Sequence, residues 1–450
     1  MTKNQTPAAA SDASDLPLPS GITVIIVGLG IAGLTAAIEC HRRGHAVIGL
    51  EKKPNTKQFG DTLGLSGNGA NVLKRWKNRP ILDILGDDDV CRVSSLNIHD
   101  KTGTLYHSMP CDPHDPIQGN IIRRSGLLDM LYQEAFSLGL DLRFGVHITE
   151  YWETDSSAGV LVGEDKITGD CVIAADGVHS KARRSITDEE ITLVPGGVAY
   201  RSIFHREDIN GLPGTEWLSN KDDRQDVWNA YIGSDALVAI STVGRGKYVV
   251  WTCVARWMQP ASVAPVLKYV ADWPAREKIE RVLLGTPPGH CFNHALLTAK
   301  PLKRLVSPHG RMILIGDAAH PVLPTLGQGA NQGIEDAAVV AICLELGGKA
   351  DVALALRTTE KLRFVLPANT PRLPRVSAIQ RLSLRSIDRS DGNGVAFNGR
   401  GIDMQPWIYD HDCIRHAYEE FPEAAASVSH GIPYTPTNVP ILCSDTLEDC

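Results

Sequence analysis

Residues 22–51 read ITVIIVGLGIAGLTAAIECHRRGHAVIGLE, and this stretch decides the fold. Thr23–Val27 is a short β-branched apolar run, the pattern of a strand buried on both faces. A helix is predicted from the glycine loop to Arg43, where Gly44 ends it. Residues 46–50 then form a second strand that leads to an acid. The stretch predicts a strand, a phosphate loop, a helix and a second strand.

Three glycines follow the first strand, and each has a separate use. Gly28 allows a tight turn, Gly30 lets backbone amides approach a pyrophosphate, and Gly33 lets the helix pack closely on the strand. The helix begins near Ile31 and Ala32, where its free N–H groups and partial positive charge attract phosphates. The loop therefore predicts a dinucleotide site.

The acid at the end of the second strand is Glu51, followed by Lys52. Its carboxylate can accept both hydrogen bonds of a ribose diol and would repel a 2′-phosphate, so the bound dinucleotide should be FAD or NAD rather than NADP. A glycine triplet alone is weak evidence. The strand before it, the helix after it and an acid about 20 residues on make it strong.

Composition bounds the remaining possibilities. The chain has 450 residues, enough for two joined domains. Its net charge of −7 without a basic cluster gives no reason to expect nucleic acid. Ten cysteines show no CxxC pair and no metal-ligand spacing, which indicates reduced thiols, a cytoplasmic location and no metal site. No apolar run approaches the roughly 18 residues of a membrane span.

Three later stretches carry further signals. Arg123 and Arg124 precede apolar residues on one helical face, so either arginine reaches a phosphate or both are solvated surface charges. Asp176-Gly177 follows a strand and is by itself only a turn signal. Residues 191–254 alternate in short stretches, which predicts an antiparallel sheet inserted into the α/β framework; its Trp and Tyr fit either a core or an apolar cavity wall.

The framework then resumes. A strand that ends in Gly316-Asp317 precedes a Gly/Pro loop, and a long helix runs from near Asn331 to about Leu346. The chain beyond Arg357 is helical and charged, and it breaks up at residues 390–400. Residues 422–450 contain proline and are expected to be irregular.

Together and in this order, these motifs resemble the single-component FAD-dependent aromatic monooxygenases of the para-hydroxybenzoate hydroxylase type, above all their fungal secondary-metabolism members. The resemblance covers residues 22–346. It implies an α/β fold in which a Rossmann-like FAD-binding domain carries an inserted, mainly antiparallel substrate sheet and a helical C-terminal region. The expected divisions are a disordered tail at 1–20, FAD-binding parts at 21–185 and 301–350, a substrate sheet at 186–300, and a helical and irregular region at 351–450.

The resemblance also implies roles for individual residues. Those expected to bind FAD are Gly28, Gly30, Ile31, Ala32, Gly33, Glu51, Lys52, Arg124 or its neighbour Arg123, Asp176, Gly177, Gly316, Asp317, Pro324, Gly327, Gly329, Ala330 and Asn331. Asp176-Gly177 would also serve the nicotinamide donor. The loop at 327–331 would pass the flavin ring and direct the positive end of its helix at the N1–C2=O edge, which is anionic in reduced flavin.

The implied chemistry is hydride transfer from NADPH or NADH to FAD, then O2 addition to a C4a-hydroperoxide that oxygenates an electron-rich aromatic substrate. Arg201 is the expected catalytic residue, with Tyr200 packing outward; the alternative is that Arg201 pairs with a surface acid. Tyr231 is a weaker substrate-side candidate, and a core tyrosine is the alternative. The chain has one dinucleotide fingerprint, so the nicotinamide should bind transiently in a groove. Monomer and dimer both remain open.

The substrate prediction follows from one difference between this sequence and the family pattern. Residues 239–243 read AISTV where the family often has a Tyr-Pro pair, which disfavours a simple phenol. The resemblance favours 2,3-epoxidation of an indole alkaloid, with possible rearrangement to a spiro-oxindole, and hydroxylation of a phenolic polyketide is the alternative. A halogenase is less expected because no Trp-x-Trp-x-Ile-Pro stretch is present. A non-catalytic FAD-binding regulator would bind FAD without oxidising NADPH.

Overall fold

The structure is a computed structural model, and it describes residues 18–56, 61–76, 81–111, 120–187, 193–219, 225–255, 259–299, 301–364, 375–388 and 405–438. The break expected at residues 390–400 lies outside these ranges, as does most of the expected N-terminal tail. Within the described ranges, no helix combines the length and the apolar character that crossing a membrane requires.

Strands and helices alternate near both ends of the described chain, and its middle part consists mainly of strands. The strands are β1 (Thr23–Val27), β2 (Ala46–Glu51), β3 (Thr62–Leu65), β4 (Val90–Cys91), β5 (Ser95–Asp100), β6 (Leu105–Pro110), β7 (Asn120–Arg123), β8 (Asp141–Phe144), β9 (Glu150–Glu153), β10 (Ala158–Val162), β11 (Asp165–Gly169), β12 (Cys171–Ala174), β13 (Val194–His205), β14 (Trp228–Ile232), β15 (Ala236–Val243), β16 (Tyr248–Ala255), β17 (Phe292–Thr298) and β18 (Met312–Leu314). The α-helices are α1 (Ile31–His41), α2 (Gly67–Lys74), α3 (Ile81–Ile84), α4 (Arg124–Ser137), α5 (Arg183–Ile186), α6 (Val263–Tyr269), α7 (Arg276–Leu284), α8 (Gly329–Gly347), α9 (Val352–Arg363), α10 (Arg375–Asp388), α11 (Pro406–Tyr409) and α12 (Cys413–His430).

A five-stranded parallel sheet forms the centre of the dinucleotide-binding part. Its order is β18-β12-β1-β2-β8, so the first strand of the chain lies in the middle. Helices α1 and α8 pack against each other in the core over this sheet, while β9–β11 form a small antiparallel sheet of their own beside it. The predicted Rossmann-like arrangement is confirmed, and β1 has the predicted bounds.

A seven-stranded sheet forms the second layer, in the order β17-β13-β16-β15-β14-β5-β6. Its pairings are antiparallel except for β14 with β5. The structure therefore contains the predicted antiparallel sheet, but the prediction did not include β5 and β6 in it. These two strands come from residues 95–110, which sequence reasoning placed within the first FAD-binding part, and they extend the sheet by pairing with β14.

Two local predictions differ from the structure. The glycine-dense stretch after Asp61, expected to be a loop, forms β3 and the start of α2, because β3 pairs with β7. Residues 422–430, expected to be irregular, continue α12 through Pro422 to His430. The buried side chains of Ala417 and Ala424 lie on either side of this proline, and α12 packs on α8 and α9, which compensates for the hydrogen bond that proline cannot make.

Candidate active site

The glycine loop after β1 forms a cradle that side chains would fill. Gly28 has φ +91°, and an added Cβ would lie 2.5 Å from the carbonyl oxygen of Ala175. A Cβ on Gly33 would overlap the carbonyl oxygen of Gly28, so α1 packs directly on the loop. At Gly30 an added Cβ would meet no described atom within 4 Å. The open space therefore lies at the N-terminus of α1, the kind of position that suits a phosphate group.

Glu51 ends β2 beside this loop. Its Oε2 accepts a 2.8 Å hydrogen bond from the backbone N–H of Leu29, and its Oε1 accepts one of 2.9 Å from Lys53. These bonds fix the carboxylate and leave each oxygen a further acceptor position for a ribose hydroxyl. The side chain of Lys52 is exposed. Ala32 packs closely on α8, because a Cβ added to Gly333 of that helix would lie 3.0 Å from the Ala32 Cβ.

The second and third motifs lie side by side. Asp176 accepts hydrogen bonds from the backbone N–H of Lys181 at 2.9 Å and from the Tyr151 hydroxyl at 3.3 Å. Its other oxygen, Oδ1, is buried and has no hydrogen-bond partner among the described residues. Gly177, with φ +80°, completes the turn. Burial and the nearby Asp176 raise the pKa of Tyr151, so this hydroxyl stays a donor.

Arg183 joins these two motifs, and sequence reasoning gave it no role. Its guanidinium donates to the carbonyl oxygens of Asp317 and Ala318, both at 2.6 Å, and to that of Val178 at 2.5 Å. Three carbonyl acceptors from two separate segments make this arginine a brace between them. Its position seven residues after Asp176 was the only available signal, and such spacing does not reveal a buried guanidinium.

Asp317 lines the large cavity described below and is accessible from it. Although the residue is exposed to the cavity, nearby protein atoms partly desolvate its carboxyl group. This desolvation raises the pKa of Asp317, although nearby His320, Arg124 and Arg183 act to lower it. A carboxyl group that faces the cavity from the turn after β18 is suited to accept hydrogen bonds from the hydroxyls of a ribityl chain.

The two arginines before α4 have different surroundings. Arg123 contacts Asp89 at 3.4 Å and the Tyr248 ring at 4.4 Å. Arg124 lies where Arg201, Asp61 and Asp317 all influence it; burial and Arg201 lower the pKa of its guanidinium, and the two carboxylates raise it. The geometry therefore places Arg124 rather than Arg123 beside the third motif.

The loop before α8 has the expected shape. Residues Pro324–Leu326 form a single 3-10 turn, and Gly327 follows with φ +61°. Both Pro324 and Gly327 line the cavity. The helix begins at Gly329, two residues before the predicted Asn331, so the backbone amides of Gly329 and Ala330 lie at its positive end.

Asn331 has a different task from the predicted contact with FAD. Its side chain is fully buried, and Nδ2 donates to the carbonyl oxygens of Gly64 at 3.0 Å and Gly327 at 2.9 Å. Its Oδ1 accepts from the backbone N–H of Ser66 at 3.2 Å. These bonds occupy the side chain with protein backbone, so the structure places Asn331 as a tie between the Gly327 loop and β3.

A buried ionic network lies beneath this loop, and sequence reasoning missed it. Glu335 on α8 pairs with Arg363 at 2.5 Å and with Arg375 at 3.0 Å. Burial raises the pKa of Glu335, but Arg375 and then Arg363 lower it more, so the carboxyl is ionised. Asn68 donates from Nδ2 to Glu335 at 2.5 Å and to Gln328 at 3.0 Å. The network connects the residue before α8 to the C-terminal helices.

The cavity has a volume of about 1160 Å³, above the roughly 300–1,000 Å³ of ordinary small-molecule pockets. It is lined by the flavin-motif residues Asp317 and Gly327 and by apolar side chains of the seven-stranded sheet, among them Trp228 and Ile232. A cavity that joins both sets of residues is large enough for a flavin ring together with an aromatic substrate.

Arg201 lines this cavity, and Tyr200 packs on the other face of the sheet, as the alternation of a regular strand predicts. The Arg201 guanidinium lies 2.8 Å from Asp61. Arg201 therefore does pair with an acid, as the alternative proposed. This acid, Asp61, lines the cavity with 11% of its side chain exposed and is not a surface acid.

Tyr231 does not line the cavity. It is 1% exposed, stacks on His99 with ring centroids 4.9 Å apart, and belongs to the core on the outer face of the sheet. Trp228, Ala230 and Ile232 face the cavity instead, because residues of alternating parity point to opposite faces of a strand. The structure contradicts the catalytic assignment of Tyr231 and fits the core alternative.

His294 on β17 is a further cavity residue that sequence reasoning missed. It lies opposite Ala199 of β13. Burial lowers the pKa of His294 to about 4. A single histidine in an apolar stretch carries no distinguishing signal in the sequence.

These residues fit FAD. The oriented Glu51 carboxylate ends β2, the glycine cradle follows β1, the unpartnered Oδ1 of Asp176 follows β12, and Asp317 follows β18, so these groups lie along the carboxyl edge of neighbouring strands. An adenosine ribose, a pyrophosphate, a ribityl chain and a flavin ring need these groups in that order.

Comparison with known proteins gives a consistent result. Two FAD binding domain families match residues 23–83 and 293–366. The chain is 49% identical to notoamide E oxidase notB of Aspergillus sp. (strain MF297-2), over 98% of this chain and 97% of the relative. It is 38% identical to asperlicin C monooxygenase of Petromyces alliaceus, over 95% and 94%. The crystal structure of CtdE in complex with FAD and substrate 4 superposes with a TM-score of 0.82 at 39% identity, over 91% of this chain and 100% of CtdE.

Proposed function

The chain belongs to the FAD-dependent monooxygenases, and from that premise we propose that it epoxidises the indole 2,3-bond of an indole alkaloid. One atom of O2 enters the substrate and the other leaves as water, with NADPH or NADH supplying two electrons. The epoxide then opens and rearranges to a 3-hydroxyindolenine or a spiro-oxindole. The name of the relative notoamide E oxidase supports an alkaloid substrate.

The observation that carries the proposal is the pairing of Arg201 with Asp61 inside an apolar cavity. A substrate with a carboxylate would have to displace Asp61 from the arginine and would then lie beside a like charge. A neutral, largely apolar ring system meets no such cost and gains from contact with Trp228, Ile232 and Leu237. The cavity therefore favours a large neutral aromatic substrate over a small anionic phenol.

Bound FAD would supply the activated oxygen, and the protein would supply position. The glycine cradle and the N-terminus of α1 would hold the pyrophosphate, Glu51 the adenosine ribose, and Arg124 and Asp317 the ribityl region. The start of α8 would stabilise negative charge on the reduced ring. Asn331 and Arg183 would keep these segments in place without touching the cofactor.

Arg201 would act on the oxygen transfer itself. An arginine guanidinium presents several N–H donors in a fixed plane. Asp61 accepts a hydrogen bond from Nη1, while the Arg201 side chain lines the cavity and keeps 30% of its surface exposed. We assign it the task of orienting the transferred oxygen and stabilising the negative charge left on the flavin side.

Three further properties complete the proposal. NADPH is the expected donor and would bind transiently near Asp176-Gly177. The protein would be cytoplasmic, since the eight cysteines within the described ranges are free, as in a reducing compartment. It would act as a monomer or a dimer.

The test is NADPH oxidation by the purified yellow protein with a panel of indole alkaloids, including notoamide E, and phenolic polyketides. The expected result is stimulation by an indole alkaloid and a product one oxygen atom heavier. A phenolic polyketide as the only stimulating class would replace the proposed substrate. If FAD is bound but neither class of compound stimulates NADPH oxidation, the result would contradict the proposal and favour a non-catalytic regulator.

A further inference from the structure

His294 lies on the cavity face of the seven-stranded sheet, close to Arg201. On β17 it pairs with Ala199, while Arg201 pairs with Phe292 two positions away, so both side chains project from the same face. Both line the cavity. The oxygen transfer assigned to Arg201 makes no use of this imidazole, so its task is open.

The two ring nitrogens of His294 have different surroundings. Nδ1 is buried and has no hydrogen-bond partner within the described part of the chain. The ring lines the cavity, and Nε2 is not one of the buried atoms that lack a partner. A buried N–H without an acceptor is rarer and costs more than a buried acceptor without a donor. The proton therefore belongs on Nε2, and the ring presents an N–H donor to the cavity.

The ring is also neutral at pH 7. Burial lowers the pKa of His294 to about 4; Arg201 and Arg124 act in the same direction, and Asp61 opposes them. The polar part of the cavity wall thus offers a neutral donor beside an arginine whose charge Asp61 already offsets. This set of groups matches a neutral acceptor on the substrate better than a carboxylate or a phenolate.

We propose that His294 donates a hydrogen bond from Nε2 to a neutral carbonyl oxygen of the substrate, of the lactam type, and so fixes which carbon faces the flavin. The inference rests on the proposed function, since it concerns the substrate of that reaction. It makes His294 a substrate-binding residue that selects alkaloids with an amide group within reach of the indole.

The test compares the FAD-bound protein with His294→Phe, which removes the donor at similar size, and His294→Gln, which restores one. Asn293→Ala is the control, because Asn293 precedes His294 on the same strand but donates to the Gln259 carbonyl. The probe is notoamide E with ¹³C at its carbonyl carbons. The readouts are its Kd, followed through the flavin absorption, and the infrared carbonyl band of the bound probe.

The expected result is a Kd raised roughly 2- to 13-fold in His294→Phe, the value of one ordinary hydrogen bond, and largely recovered in His294→Gln. A carbonyl band of the bound probe should move to higher frequency in His294→Phe alone. Equal Kd values with unchanged bands in all variants would overturn this inference while leaving the proposed function intact. Failure of every indole alkaloid on the panel to stimulate NADPH oxidation would overturn the proposed function and this inference with it.

Discussion

Replacing Arg201 by glutamine should separate cofactor reduction from oxygen transfer. The guanidinium lies in the cavity 2.8 Å from Asp61, away from the phosphate cradle at Gly28 and Gly33. FAD binding and NADPH-dependent reduction should therefore persist. Oxygen transfer should fail, and the activated oxygen should be lost as hydrogen peroxide.

The magnitude follows from the contact. Removal of one donor to a developing oxyanion costs about 10²- to 10³-fold in kcat. Asp61→Asn keeps the hydrogen bond to Arg201 but removes its charge assistance. This weakens the bond by about 1 kcal/mol and should lower kcat roughly fivefold. Because Asp61 would act through Arg201, the double variant should resemble Arg201→Gln alone, within about threefold.

The assay measures NADPH consumed, hydrogen peroxide formed and product formed, with the stimulating indole alkaloid from the panel as substrate, for both single variants and the double variant. Arg206→Gln is the matched control, because Arg206 follows β13 and donates to the Leu218 carbonyl outside the cavity. Product formation in Arg201→Gln that equals the control would refute the role of the arginine. Single-variant losses that multiply in the double variant would refute the claim that Asp61 acts through it.

Three more changes probe the rest of the site. Gly33→Ala should yield a colourless protein, because the added methyl group overlaps the Gly28 carbonyl; the measurement is FAD absorbance per protein, and retained FAD would contradict the cradle. Arg375→Met should destabilise the fold by about 3–5 kcal/mol, because it leaves the buried Glu335 with one arginine instead of two. The measurement is denaturant unfolding. The control is the Glu335→Gln/Arg375→Met variant, which should recover part of the lost stability. His294 should make stability depend on pH: its folded pKa of about 4 lies below the unfolded value of 6.5, so its contribution is present above pH 6.5 and is lost as pH falls toward 4. His294→Phe should reduce the slope of unfolding free energy in that window by up to about 1.4 kcal/mol per pH unit, and an unchanged slope would contradict the buried neutral ring.

The predictable parts of the molecule were those encoded by local pattern. The β1 bounds, the helix after Gly30 and the carboxylate at Glu51 follow from residues within one short stretch, where apolar runs and glycines act on their immediate neighbours. The opposite orientations of Tyr200 and Arg201 follow from strand alternation once the strand is recognised.

The parts that were missed depend on contacts distant in sequence. The pairing of β5 with β14 joins residues more than a hundred positions apart, and no local pattern encodes it. Arg363 and Arg375 look like the charges of a solvated helix until Glu335 is placed between them. Tyr231 was assigned to the wrong face of the sheet. The residue at which β14 begins determines which side chains face the cavity, and pairing with β15 sets that residue.

The most direct test of the account is a single turnover under ¹⁸O2. The FAD-bound protein is reduced anaerobically with one equivalent of NADPH in the presence of the indole alkaloid that stimulates NADPH oxidation and then mixed with ¹⁸O2, and the product mass is measured. The account predicts one ¹⁸O atom in the indole-derived product, with reoxidised FAD. Flavin reoxidation that leaves the alkaloid unlabelled and releases labelled hydrogen peroxide would contradict it.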